Sequence, residues 1–262
     1  MRRAALAEGW DAVRVLSWLP PEDIAEPFIY GETMFADVLA EGLGLVLLEP
    51  AWDWLPSLPV EYRSRATWLS TLGAARTLTD RVFVKPVDEK IFPARVYYGG
   101  GDLRNPPQGD LPDSTPVLIS EPVIFDLEVR AFVLENEVRT MSAYLRSPGT
   151  VVLNDEWGMT DEERAAASEF LAAVLAHDGA ASGPGLPPAC VVDVGLIRGR
   201  GWAVVEANPC WASGLYGCDP REALHTVRRA SVPRELDGAL GEGAWWGRHT
   251  PRACNPLAYS TR

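Results

Sequence analysis

Residues 190–208 read CVVDVGLIRGRGWAVVEAN, two apolar β-branched runs joined by a short glycine- and arginine-containing turn. Such a segment is a β-hairpin, and its pairing dictates what lies on each face of the sheet that contains it. Closing it on the four-residue loop RGRG sets Ile197 opposite Trp202, Leu196 opposite Ala203, Gly195 opposite Val204, Val194 opposite Val205, and Asp193 opposite Glu206. One face then carries Val192, Val194, Leu196, Ala203, Val205 and Ala207, an unbroken core surface. The other carries Asp193, Glu206 and Asn208. Carboxylates directly opposite on neighbouring strands repel. Such a pair is explained by a cation between them. Three oxygen-bearing side chains are the hard ligands that Mg²⁺ takes, with phosphate oxygens and water completing the octahedron. The alternative reading is a wet outer face whose acids pair with nearby arginines. A slip of one residue in register would put the two acids on opposite faces.

A second feature supplies positive charge. The chain uses 22 arginines but two lysines, Lys85 and Lys90, both within FVKPVDEK. Alternation in the strand RVFVK puts Val82 and Val84 toward a core and Lys85 on the opposite side, with Lys90 across the following loop. Lysine is a compact charge on a flexible stem, suited to a mobile phosphate oxygen. Chance placement under an arginine-favouring composition is the competing explanation. Further on, PVLISEPVIF is a strand that breaks at Glu121–Pro122. Proline has no N–H, so the carbonyl of Glu121 and the amide of Val123 are left as the pair that adenine N6 and N1 require. Glu128 and Arg130 share a face of LEVRAF, placed for ribose hydroxyls and phosphates respectively. A same-face ion pair worth at most ~1 kcal/mol is the alternative for these two.

The rest of the chain bounds the possibilities. A net charge of -12 argues against a nucleic-acid partner. No apolar run reaches the ~20 residues of a membrane span, and MRRAALAEGWDAV is not a signal sequence, so a cytoplasmic protein is expected. Cys190, Cys210, Cys218 and Cys254 lack CxxC spacing and read as buried thiols, and His177, His225 and His249 form no metal or triad motif. Neither a P-loop nor a GxSxG elbow is present.

Along the chain, PFIYG, ETMFADVLAEG and LVLLEP read as a β-α-β lobe over 1–60. EYRSRATWLSTLGAARTL reads as helix, and RVFVKP, ARVYY and PVLIS as strands. LEVRAFVL and VRTMSAYL form a hairpin about ENE. Thr160 and Glu163 are a capping box for a helix ending at Gly179, and Asp219–Pro220 opens another. The tail from about Pro233, with Trp245 and Trp246, has no assignable structure.

The order FVKP, a second lysine, EPV, ExR in EVRAF, DVG and finally ExN in VEANP resembles the ATP-grasp superfamily. More narrowly, it is similar to the clade named for one arginine and two lysines, which includes the eukaryotic assembly factor for translation initiation factor 2. The resemblance covers about residues 60–230. It implies an α+β fold in which two α+β lobes grip ATP, a small one over 61–120 and a large one over 121–232. The 1–60 lobe precedes them and a tail, 233–262, follows. It also implies that Lys85 and Lys90 hold phosphates, Glu121, Pro122 and Val123 form the adenine hinge, and Glu128 takes the ribose. Arg130 becomes the clade's arginine, catalytic together with Lys90, while Asp193, Glu206 and Asn208 bind Mg²⁺. The implied chemistry is carboxylate–amine ligation with ATP and Mg²⁺ on a small molecule, peptide or protein. A non-catalytic ATP-binding assembly factor and a phosphotransferase stay open beside it. The chain departs from the superfamily in having PVDEKIFPA where a glycine-rich phosphate-covering loop is expected.

Overall fold

The computed structural model describes residues 1–87, 91–103, 111–147, 150–151, 158–180 and 185–236. Its strands are β1 (Leu45–Leu47), β2 (Thr67–Thr71), β3 (Arg81–Pro86), β4 (Arg95–Tyr98), β5 (Pro116–Ser120), β6 (Phe125–Leu134), β7 (Glu137–Arg146), β8 (Thr150–Val151), β9 (Ala189–Ile197), β10 (Gly201–Asn208) and β11 (Ser231–Pro233). The helices are α1 (Arg2–Ala7), α2 (Thr33–Gly42), α3 (Trp54–Ser57), α4 (Val60–Arg63), α5 (Leu72–Ala75), α6 (Asp161–Ala180) and α7 (Pro220–Arg229). A four-stranded antiparallel sheet runs β2-β5-β3-β4 and a five-stranded one runs β10-β9-β6-β7-β8. This is the expected α+β architecture of two sheet-bearing lobes.

The larger sheet is covered on both faces, because its central strands are apolar on both sides. Leu127, Val129, Ala131, Cys190, Val192, Val194 and Val204 pack with Leu171, Val174 and Leu175 of α6. Phe132 and Val191 face the other way, against Ala223 and Val227 of α7, the buried Trp211, and Ala36 and Leu39 of α2. β6 and β7 meet at Glu135 and Asn136, both at positive φ (49° and 67°), the two-residue turn whose twist suits a hairpin.

The N-terminal segment packs into a core shared with the larger sheet and α7. Residues 27–31 form no strand; β1 pairs antiparallel with β11, from the far end of the described chain. The Trp211 indole donates to the Leu48 carbonyl at 2.9 Å, and the amide of Gly31 to the Trp211 carbonyl at 3.0 Å. Segments distant in sequence thus complete one core. The expected helix over 61–78 is also corrected: α4 and α5 flank the strand β2, which pairs with β5 from Thr67↔Ser120 to Thr71↔Pro116. TWLST is rich in residues that fit a pleated surface, and an available sheet edge overrides the local helical pattern.

Helix α6 begins as the capping box requires. Glu163 N–H donates to Thr160 Oγ1 at 3.1 Å, and Thr160 N–H to Glu163 Oε2 at 2.9 Å. Arg146 binds both oxygens of Glu163, at 2.8 and 2.7 Å. These hydrogen bonds hold Glu163 down to about 2, from an ordinary 4.5. A depressed acid stabilises the fold above its unfolded pKa and loses that contribution as pH falls toward its folded one. Glu163→Gln is therefore expected to be less stable than wild type by about 1–2 kcal/mol at pH 7. In urea unfolding, the difference should shrink steadily between pH 4.5 and about 2.

Gly195, opposite Ala203 and Glu128, is held small by its neighbours. A Cβ there would sit 2.6 Å from the Phe125 ring and 2.8 Å from the Leu127 carbonyl oxygen. Backbone cannot yield as a side chain can, so Gly195→Ala is expected to cost about 1–3 kcal/mol, seen as a lower urea midpoint at unchanged slope.

Candidate active site

The 190–208 hairpin closes on a tighter turn than expected, and a bulge restores its key pairing. Ile197 pairs with Gly201, Leu196 with Trp202, Gly195 with Ala203 and Val194 with Val204. The ladder then skips Val205, so that Glu206 faces Asp193. The core face consequently holds Trp202 and Val204 where Ala203 and Val205 were expected. The extra residue in β10 and the shorter turn cancel, and the two carboxylates stand opposite on the same face.

Arg65 fastens that bulge. Its guanidinium donates to the carbonyls of Val204 at 2.7 Å, Val205 at 2.9 Å and Arg63 at 3.1 Å, and it lies 5.4 Å over the Phe125 ring. The residue is 6% exposed, and burial pulls it down to about 10 despite Glu128 and Glu206 nearby. Nothing in EYRSRAT distinguishes it from the other arginines, so no local signal singles it out.

Across the larger sheet the register sets three charges in a row, and the smaller sheet adds a fourth. Arg130 pairs with Asp193, and Asp193 with Glu206. Arg130 Nε and Nη2 donate to the two Asp193 oxygens at 2.9 and 2.7 Å, and Nη1 to the Gly214 carbonyl at 3.2 Å. Lys85, from the smaller sheet, donates its ammonium to Glu206 Oε2, while Asn208 Nδ2 donates to Glu206 Oε1 at 2.7 Å. The order is cation, acid, acid, cation. The outer-face reading is half right, since each acid has a basic partner, but Asp193 is fully buried. Burial opposes ionisation of both acids. It prevails at Asp193, whose pKa is raised, whereas Lys85 and Asn208 hold Glu206 down to about 2.

Arg130 belongs to no ion pair with Glu128. The Tyr144 hydroxyl donates to Glu128 instead, and burial, partly opposed by that hydrogen bond, raises the Glu128 pKa. Tyr144 stacks on Tyr216 with centroids 4.9 Å apart, and the Arg130 guanidinium lies 5.4 and 4.9 Å from the two rings. Tyr30 donates to the Ser213 carbonyl at 2.9 Å. Tyr144 and Tyr30 gave no signal in sequence, because only the fold brings them to Arg130.

At the EPV break, Glu121 is more engaged than expected. Its carboxylate takes Arg200 at 3.1 and 2.6 Å, and its amide donates to the Ala66 carbonyl at 2.9 Å. Among the described residues, the Glu121 carbonyl and the Val123 amide have no backbone partner. Lys90 lies outside the described residues, as does Cys254; Cys190, Cys210 and Cys218 are buried free thiols.

Lys85, Glu206 and Asn208 open into a cleft between the two sheets, of about 680 Å³ including the part open to solvent, which Glu49, Trp52 and Trp54 also line. A magnesium ion fits this donor set in part. Glu206 is 28% exposed on its side chain, and a carboxylate keeps lone pairs beyond its two present hydrogen bonds. Asn208 turns its amide nitrogen to Glu206 and keeps its oxygen. Asp193, buried with both oxygens on Arg130, has only its remaining lone pairs to offer. No helix among the described residues is long and apolar enough to cross a membrane.

The chain has some similarity to several solved structures. A RimK domain protein ATP-grasp from Sphaerobacter thermophilus DSM 20745 is 15% identical over 87% of this chain and 90% of its own, with a TM-score of 0.45. The ATP-grasp ligase PsnB complexed with minimal precursor is 16% identical over 66% of this chain, TM-score 0.36, and this chain spans 56% of its length. The D-cycloserine synthetase DcsG is 19% identical over 68% of this chain and 71% of its own, with a TM-score of 0.37. No curated protein matches. The family model of the ATP-grasp domain, R2K clade family 2, matches residues 62–226, from α4 into α7 and across both sheets; the chain belongs to that family.

Proposed function

We propose that the protein is an ATP- and magnesium-dependent ligase that joins a carboxylate to an amine. The observation that supports it best is the row Arg130, Asp193, Glu206, Lys85, ending with Asn208 at an inter-sheet cleft in a chain of this family. In this reading Lys85, with Lys90, binds ATP phosphates, and the Glu121 carbonyl and Val123 amide face adenine across Pro122. Glu128 lies toward the ribose. Glu206 and Asn208 hold Mg²⁺, backed by Asp193. The metal supplies charge neutralisation at the phosphates.

The γ-phosphoryl group passes from ATP to the acceptor carboxylate, giving ADP and an acylphosphate; the amine then displaces phosphate and forms the amide. The protein supplies position and charge, and no side-chain nucleophile is required. Arg130 keeps Asp193 and the Gly214 loop in place, so it orients the site while its own donors stay engaged. The acceptors are an unidentified carboxylate and amine, on a small molecule, peptide or protein.

Turnover assays over candidate acceptors test this. ADP, phosphate and product are expected in equal amounts, and Glu206→Gln should lower kcat by about 10²-fold or more while the circular dichroism spectrum is retained. Tight nucleotide binding with no ADP formed under any acceptor would favour the assembly-factor reading. Phosphate retained on the acceptor would mark a phosphotransferase.

A further inference from the structure

The two cations flanking the acid pair differ in kind. Arg130 is 7% exposed, donates bidentately to a carboxylate with no exposure at all, and has its third nitrogen on a backbone carbonyl. That pair is fixed. Lys85 comes from the other sheet, and no hydrogen bond other than that to Glu206 is recorded for its ammonium among the described residues. Its side chain is 21% exposed, on a wall of the inter-sheet cleft. An ammonium on a flexible stem can leave one anion for another at little cost when both lie within its reach.

We infer that Lys85 stands on Glu206 in the place a divalent cation would take, so that the protein accepts Mg²⁺ only together with nucleotide. The inference rests on the proposed reading that Glu206 and Asn208 are metal ligands. Without nucleotide, a metal ion approaching Glu206 meets an ammonium already bound there. Displacing it would cost Lys85 its hydrogen-bonded carboxylate, while the adjacent acid, Asp193, is already taken by Arg130. A polyphosphate changes the balance by giving Lys85 a second anionic partner, and Glu206 is released to the metal as the lysine moves. Lys85 thereby couples the two ligands, and the coupling is reciprocal: nucleotide tightens metal binding by the factor by which metal tightens nucleotide binding. Removing the charge at position 85 should break the coupling from the metal side, because Glu206 would then face Asp193 with a single cation for two acids.

The test is calorimetric titration of nucleotide-free protein with MgCl₂ alone, together with its melting temperature against Mg²⁺ concentration. Wild type is expected to show no saturable uptake and no shift in melting temperature at millimolar Mg²⁺. Lys85→Met is expected to bind Mg²⁺ alone at least tenfold more tightly, with a rising melting temperature, and Lys85→Arg to exclude it as wild type does. Lys85→Gln, which keeps a hydrogen bond to Glu206 without the charge, serves the same purpose should the Met variant not fold. Adding Glu206→Gln to either neutral variant should abolish the gained binding. Equal Mg²⁺ binding by wild type and a folded neutral variant, or none by either, overturns the inference. Failure of the metal-site reading on which this rests is read separately, from whether wild type takes up Mg²⁺ when ATP is also present.

Discussion

Asp193→Asn is expected to destabilise the protein by about 3–5 kcal/mol in the absence of any ligand. Asp193 is completely buried, and both of its oxygens accept from a guanidinium that is itself 7% exposed. The amide keeps one acceptor oxygen but turns an NH₂ toward a donor, and Arg130 remains charged because a guanidinium does not release its proton in proteins. The cost is that of an uncompensated buried cation beside Tyr144 and Tyr216, whose ring faces attract it but do not neutralise it. A second variant separates this cost from the worth of the pair. Arg130→Met with Asp193→Leu removes both charges into an apolar surrounding, and such replacements are often neutral or stabilising. Urea unfolding should therefore find the double variant well above Asp193→Asn in stability, though without turnover. If the single and double variants were equally unstable, the pair would not be coupled as the geometry requires.

What the sequence disclosed follows from how local each signal is. Strand alternation has a period of two, so Asp193, Glu206 and Asn208 could be assigned to one face as soon as the hairpin was recognised. The pairing of the two acids was legible, but the register behind it was not. A three-residue turn and a bulge at Val205 each shift the ladder by one, and they cancel at Glu206. Lys85 was visible through rarity, and its place at the end of β3 on the side away from Val84 is the one alternation demands. The partners of these residues were hidden because they are tertiary. Arg65 lies 139 residues from the carbonyl it caps, Tyr144 meets Tyr216 across the sheet face, and β1 pairs with β11 from the far end of the described chain. The strand at Thr67–Thr71 was missed for the same reason: its ladder partner, Pro116–Ser120, decides a segment whose own pattern is ambiguous.

Arg65 carries the second large expected effect. Arg65→Met should cost about 2–4 kcal/mol, and it should also lower kcat in any ligation assay, by tenfold or more, with little change in the KM for ATP. The stability term arises because the Val204 and Val205 carbonyls, on either side of the residue that the ladder skips, lose a charged donor, and buried acceptors left unmet are costly. The kinetic term arises because those same carbonyls set where β10 resumes pairing, and Glu206 is the first residue beyond them. A bulge free to relax would let Glu206 drift from its place opposite Asp193. Displacements of about an ångström in a positioned group can cost ~10²-fold in rate. Arg65→Lys distinguishes the two terms. A lysine restores a donor but cannot span two carbonyls in a rigid fork, and the burial that pulls Arg65 down to about 10 would bring an ammonium, with its lower starting pKa, toward neutrality. A base whose folded pKa lies below its unfolded one costs stability where it must stay charged, so the Arg65→Lys deficit should be largest at low pH and narrow as pH rises between the two values, while kcat stays depressed throughout. Full recovery of kcat by lysine would mean that charge alone, and not the two-carbonyl clasp, keeps Glu206 in line.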